Sequence, residues 1–428
     1  MIVGFTILLL VLLIGLGLPV AVVLFLLGWL LVFFTSGDYA QANRLLAFTI
    51  DQSLRNYFLS VIPLFVLMGE VFARSGFVDD LFHVLVRWLG RIRAGIPLSV
   101  VFGNAVFAAA TGVSVVSASL FGRVAAPVMI RSGILPEAAT GLIAGSSILG
   151  MLIPPSILMI VYGLLTDQPI GKLFIAGLVP GLLVVMAYST YILAQGKRLF
   201  TATLPFSEAT MTPVRPERSL GILGLMISIV MVLGGIYSGL FTVVEAAAVG
   251  ATLAVLTGLI SGRLGPGRLL EALVSSVVTT ASIGIIFLAA SFYSKAIALV
   301  GLPGNIQKWF SAINLEPWLI VLLICGIVFL LGFVLDTVST LTIVIPVVYP
   351  VLTALGVDLI WFGILVILAA EMGLITPPVG LSVYALKAAL PKEADVPLEA
   401  IFRGAVPFLL LLVLVFGVVF AFPKILRY

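Results

Sequence analysis

The sequence has one cysteine, Cys325, and one histidine, His83. A disulfide framework within the chain is excluded, and a Cys/His metal site or a Cys–His nucleophilic pair lacks its members. Charge is equally scarce. The 428 positions carry 22 Lys+Arg and 18 Asp+Glu, 9% of the chain against roughly a quarter in a soluble domain. So few charges cannot cover the surface of a soluble protein of this size. The formal charge of +4 comes from scattered loop residues rather than a basic face, so nucleic acid is excluded as a partner. There is no Gly-x-Ser-x-Gly elbow, no His-Glu-x-x-His motif and no Asp pair on facing breaks, which argues against an enzyme. What is abundant is apolar: 62% of residues are hydrophobic, with a mean hydropathy of +1.31. These features define an all-α polytopic membrane protein.

A helical span needs about 20 apolar residues. The stretch Ile2–Phe34 carries no charge. It is too long for a signal-peptide core, so a retained span is expected, with Pro19 as a kink. Apolar runs continue to Ala405–Phe422, and roughly ten to twelve crossing segments fit at that length. The polar stretch Gln195–Ser219 holds Lys197, Arg198, Pro205, Pro213, Arg215, Pro216 and Arg218. It reads as a linker, and its basic residues favour the cytoplasmic side. Two half-apolar segments, Tyr39–Phe58 and Asp79–Arg93, read as interfacial helices. The second sets Leu81, Leu85, Trp88 and Leu89 near one side, with Asp80, Arg87 and Arg91 elsewhere.

The two halves are self-similar. Ala126-Pro127-Val128, Gly133-Ile134 and Gly150…Pro154-Pro155 recur as Tyr349-Pro350-Val351, Gly356-Val357 and Gly373…Pro377-Pro378. The offset is constant at 223 residues (350−127 and 377−154 alike). It also pairs Thr111-Gly112-Val113-Ser114 with Val334-Leu335-Asp336-Thr337, and with a small insertion Gly177…Pro180 pairs with Gly404…Pro407. Such repeats mark secondary transporters, whose sites lie at helix breaks near the membrane midplane. Two successive prolines interrupt a helix and free its carbonyls for a small cation. The polar knots before each break read as tips of hairpins that enter the membrane and return. A tip brings helix carbonyls and N–H groups together, suited to cations and anions respectively. The expected organisation is a scaffold span and interfacial helix (1–60), a first repeat with its hairpin near 112 and break near 150–155 (61–195), a linker (196–219), scaffold spans (220–270) and a second repeat with its hairpin near 336 and break near 373–378 (271–428).

Intramembrane charge defaults to function, graded by depth. Asp336, at the second tip, reads as a cation ligand or as the cap that fixes the tip. Glu371 is expected to hold the second break open through backbone N–H groups, or to back up a ligand. Arg123, nine residues past Ser114 and roughly 14 Å along the helix, reads as snorkelling to the interface. Glu70 is placed to pair with Arg74. Lys295 reads only as an interface residue. Thr242-Val243-Val244-Glu245 is a capping box.

These motifs resemble a known family. Ile62-Pro63-Leu64-Phe65-Val66-Leu67-Met68-Gly69, Ile153-Pro154-Pro155-Ser156, Thr242-Val243-Val244-Glu245-Ala246-Ala247-Ala248-Val249 and Gly373-Leu374-Ile375-Thr376-Pro377-Pro378-Val379-Gly380 resemble segments of the large membrane subunit of tripartite ATP-independent periplasmic (TRAP) transporters. Val243 departs from the family's proline, and Thr111-Gly112-Val113-Ser114 from its Ser-Gly-Ser-Ser tip. The resemblance implies a multi-pass protein of the bacterial inner membrane, with inverted repeats, two re-entrant hairpins, two broken helices and an elevator mechanism. It implies import of an organic acid, commonly a dicarboxylate, coupled to sodium ions. The implied partners are a small four-helix membrane subunit, a periplasmic substrate-binding protein and membrane lipid. Carried over by position, the sodium sites fall at Gly112, Val113, Ser114, Gly150 and Pro154, and at Asp336, Thr337, Gly373, Thr376 and Pro377. Ser114 and Thr376 are the candidate substrate contacts. A stand-alone sodium- or proton-coupled anion carrier is the alternative.

Overall fold

The structure, a computed structural model, describes residues 9–10, 12–90, 92, 94–195, 216–301, 304 and 316–426, with the side chains of 216–219 and 393 outside that set. Among the described residues every regular element is helical. The first half contains α1 (Val20–Ser36), α2 (Tyr39–Leu54), α3 (Val61–Arg74), α4 (Phe77–Leu89), α5 (Gly95–Thr111), α6 (Ser114–Arg131), α7 (Pro136–Ser147), α8 (Leu149–Leu152), α9 (Ile157–Thr166) and α10 (Ile170–Gln195). The second half contains α11 (Pro216–Tyr237), α12 (Val243–Ile260), α13 (Pro266–Leu299), α14 (Pro317–Leu331), α15 (Thr337–Ala354), α16 (Leu359–Leu374), α17 (Leu381–Ala389) and α18 (Leu398–Ala421).

Eight described helices are long and apolar enough to cross a membrane, or nine when α7–α9, bent by 42°, count as one broken span. That is fewer than ten to twelve. The shortfall lies in four shorter apolar helices, α1, α5, α14 and α16. The first span is also interrupted. Gly17 adopts φ +86 and Pro19 caps the start of α1 instead of kinking a continuous helix. The expected boundary at 270/271 falls inside α13, a continuous helix of 34 residues. Most of the linker lies outside the described residues, and its end is already helical from Pro216.

Helix ends are closed by side chains, which matters where water is scarce. The Thr242–Glu245 capping box forms in full: the Glu245 N–H donates to Thr242 Oγ1 at 3.3 Å and the Thr242 N–H donates to Glu245 Oε2 at 2.8 Å. Asp38, Ser156, Asp336 and Asp358 cap α2, α9, α15 and α16.

The α4 helix packs one apolar face on the protein and leaves another open. Phe77, Val78, Leu81, Phe82 and Val86 are buried, and Trp88 is 74% exposed. Asp80 is buried as well, held by an ion pair with Arg263, so this carboxylate belongs to the packed side. Glu70 and Arg74 pair at 2.9 Å, and Arg74 reaches Glu271 on α13 at 2.8 Å. Lys295 is held too: it donates to Gln52 on α2 and lies 4.8 Å over the Phe48 ring.

Close packing around the first repeat depends on small residues and one polar network. A Cβ built on Gly141 would overlap the Gly404 backbone, so α7 and α18 cross at backbone contact. Asn104 on α5, Ser117 on α6 and Ser146 on α7 are fully buried. Asn104 Nδ2 donates to Ser146 Oγ at 2.7 Å and Ser117 Oγ donates to Asn104 Oδ1 at 2.5 Å. Both hairpin arms are thereby tied to the broken helix. The positions 223 residues on are Ile327, Thr340 and Ala369, which cannot form this network. Asn104→Ala strands the buried Ser117 hydroxyl, while Ser146 keeps its bond to the Leu142 carbonyl, and is expected to cost about 1–3 kcal/mol, read as a lower Tm in detergent. Gly141→Ala, which wedges two backbones apart, is expected to lower the Tm further.

Two hairpin tips over two helix breaks

The first tip is made by a change of backbone direction. α5 ends at Gly112, which adopts φ +64, and Val113 is extended before α6 begins at Ser114. Only glycine takes the left-handed conformation without strain. Gly112 also has no room for a side chain, because a Cβ there would lie 2.7 Å from the Pro155 carbonyl oxygen. One at Gly150 would lie 2.9 Å from the Ser114 and Val113 backbone. The first tip therefore rests on the first break, with Gly112, Val113, Ser114, Gly150 and the Pro154–Pro155 turn brought together. That turn is buried, and Ser156 closes it by donating to the Met151 carbonyl at 2.5 Å.

The second tip is built differently. Gly332 follows α14, and a Cβ on Gly373 would lie 2.7 Å from Gly332. The Gly380 N–H donates to the Phe333 carbonyl at 3.4 Å. Gly332 and Phe333 thus meet the second break. Asp336 and Thr337 lie further along. Asp336 is exposed, and its Oδ1 accepts from the Ser339 N–H at 2.9 Å, so it acts as the cap of α15. Thr376 is half-buried and donates to the Met372 carbonyl at 2.7 Å, and Pro377 is exposed. The expected second set is therefore less closely gathered than the first.

Each tip also touches the other repeat. Ser114 Oγ donates to Glu371 Oε2 at 2.6 Å, and its counterpart Thr337 Oγ1 donates to Met151 Sδ at 3.3 Å. Glu371 is 1% exposed on α16. It does not hold the second break open through backbone N–H groups, since its bonded partner is the first tip. Sequence reasoning missed Met151 and Gly332 because neither carries an unusual residue type. Asn104, a lone amide in an apolar hairpin arm, was a visible signal.

Beside the first tip lies a cavity of about 950 Å³. Val115, Val116 and Ser119 of α6 line one wall, Glu70 and Arg74 of α3 the other, and Arg123 faces it further down. Arg123 is exposed, as expected near an interface, but into this space. Burial holds the Asp79 carboxyl above its ordinary value there, while Arg123 and His83 pull it down.

Two helix breaks, each met by a hairpin tip, and an adjoining polar cavity define a secondary transporter fold of the multi-pass membrane class. The comparisons agree. A crystal structure of the Alcanivorax borkumensis YdaH transporter superposes with a TM-score of 0.70 at 16% identity, covering 95% of this chain and 98% of that one. The antimetabolite efflux pump MtrF of Neisseria gonorrhoeae superposes with a TM-score of 0.65 at 13% identity, covering 95% of each chain. Both show likeness of fold. The model of the tripartite ATP-independent periplasmic transporter family, DctM component, matches residues 7–425. The chain belongs to this family of inner-membrane transport permeases. It is 32% identical over 385 residues to the C4-dicarboxylate TRAP transporter large permease protein DctM of Pseudomonas aeruginosa, covering 89% of this chain and 88% of the relative. It is 28% identical over 414 residues to the sialic acid TRAP transporter large permease protein SiaM of Vibrio cholerae, covering 95% and 93%. It is also 28% identical over 401 residues to the ectoine/5-hydroxyectoine TRAP transporter large permease protein UehC of Ruegeria pomeroyi, covering 93% and 91%.

Gly150→Ala pushes the first tip off its break. Transport is expected to fall about tenfold or more, with the purified protein still folded, as read by uptake beside a Tm measurement.

Proposed function

We propose that the chain is the translocating subunit of a sodium-coupled importer of an organic acid. A small four-helix membrane subunit and a periplasmic substrate-binding protein complete the assembly. The observation that carries this is the first tip: an unwound, buried, neutral backbone cage standing at the edge of a polar cavity. Its donors are carbonyl and hydroxyl oxygens, which suit a hard cation. Among the described residues no group of three or more His, Cys, Asp or Glu is placed to hold another kind of metal. Gly112, Val113, Ser114, Gly150 and Pro154 form the first proposed sodium site. Asp336, Thr337, Gly373, Thr376 and Pro377 form the second.

The acid itself is proposed to enter through the cavity. Arg123 offers its carboxylate a charge-assisted bond there, and Ser114 and Thr376 lie closest to the breaks. The names of the relatives span a C4-dicarboxylate, sialic acid and ectoine, which supports a small organic acid as the cargo, its selection shared with the binding protein. An elevator movement fits two tips that travel with their breaks as one body. A stand-alone anion carrier needs neither partner, and membership of a tripartite family disfavours it.

Reconstituted chain with both partners is expected to take up the acid only under an inward sodium gradient. The probes are radiolabelled C4-dicarboxylate, sialic acid and ectoine, each loaded on the binding protein. Uptake that is indifferent to replacement of sodium by potassium overturns the coupling assignment. Asp336→Ala is expected to abolish uptake while removing a helix cap worth about 1 kcal/mol, so assembly persists. Full uptake in that variant would remove Asp336 from the second site.

A further inference from the structure

We infer that Glu371, a residue of the second repeat, supplies the negative charge of the first cation site. The inference rests on the proposed sodium coupling and adds a ligand to it. Two deficits meet at this point. The first cage, Gly112, Val113, Ser114, Gly150 and Pro154, has no charged member, and a monovalent cation enclosed by neutral dipoles in a low-dielectric interior lacks a counter-charge. Glu371 has the opposite deficit. It is 1% exposed, one oxygen accepts from Ser114 Oγ at 2.6 Å, and among the described residues none hydrogen-bonds the other, Oε1. A buried carboxylate oxygen left in that condition is costly and calls for a partner outside the protein. A cation at the first tip, beside Ser114, satisfies both.

The repeat comparison makes the assignment specific. Ser114 and Thr337 are equivalent residues, each the first of its returning arm, and each reaches across to the opposite broken helix. Thr337 finds the neutral thioether of Met151. Ser114 finds a carboxylate. The cross-repeat contact therefore carries charge on one side only. The second set has its own acid, Asp336, which belongs to its own repeat. Each proposed site then holds one carboxylate, supplied once from within the repeat and once from across it.

Binding is the primary readout. The assembled membrane complex in detergent is titrated with sodium chloride, with choline and potassium chloride as controls, and the ion-specific rise in Tm and the apparent sodium affinity are recorded. Glu371→Gln keeps the acceptor for Ser114 and removes the charge. It is expected to weaken apparent sodium affinity about tenfold or more, shown in the Tm titration and as a raised half-saturating sodium concentration for uptake. Glu371→Asp keeps the charge one methylene back and is expected to fall between wild type and Glu371→Gln. An unchanged sodium titration in folded Glu371→Gln overturns the inference and leaves sodium coupling standing. Equal losses in both variants overturn it too, because shape rather than charge would then govern the site. Where Glu371→Gln does not fold, an unchanged sodium titration in the neutral Glu371→Ala overturns it. If the wild-type complex shows no sodium-specific response, the coupling assignment falls first and this inference with it.

Discussion

Unwound backbone inside a bilayer has no water to bond, and the centre of this protein is arranged around that constraint. Two proline pairs break α7–α9 and α16–α17 in the middle of apolar runs. The first break is buried under its tip, and the second is met by Gly332 and Phe333 while Pro377 stays exposed. The covers are the hairpin tips, seated by glycines that allow backbone to touch backbone: Gly112 on Pro155, Gly150 on Ser114, and Gly332 on Gly373. The same covering is what leaves oxygen donors pointing inward instead of into lipid. Stability and a place for an ion therefore come from one geometry.

The scarcity of charge is the other side of this arrangement. Most acids and bases in the described chain are occupied at helix ends or in ion pairs: Asp38, Asp358 and Glu245 as caps, Asp80 with Arg263, Glu70 with Arg74. Lys295 is settled against Gln52 and Phe48. Glu371 is different in kind, because it is buried and bonded to a hairpin tip of the other repeat. The sequence marks it as an intramembrane acid beside the second break; its partner at the first tip is visible only in three dimensions.

Much of the architecture was legible in the chain. The 223-residue offset located both breaks and both tips, and the Thr242–Glu245 spacing announced its capping box. Glu70 and Arg74 paired at helical spacing. What stayed hidden has a common cause. An internal offset shows which residues are equivalent, not which ones touch, and here the tips touch crosswise. Ser114–Glu371 and Thr337–Met151 join residues of opposite repeats. Gly332 was passed over because its equivalent is Ala109, and the Asn104 network because its equivalents are Ile327, Thr340 and Ala369. Deviations from the repeat carried the information that agreement with it could not. The burial of Asp80 in α4 was not legible either, because Arg263, which neutralises it, lies far away in sequence.

The Ser114–Glu371 bond spans 257 residues of chain, and this sets an order of events during synthesis. At ordinary translation rates of about 5–20 residues per second, the first tip is made some ten to fifty seconds before its carboxylate partner leaves the ribosome. Throughout that interval the Ser114 hydroxyl lacks its Glu371 partner. When Glu371 arrives with the second repeat, Ser114 and the Asn104, Ser117 and Ser146 side chains that tie the first repeat together are already synthesised.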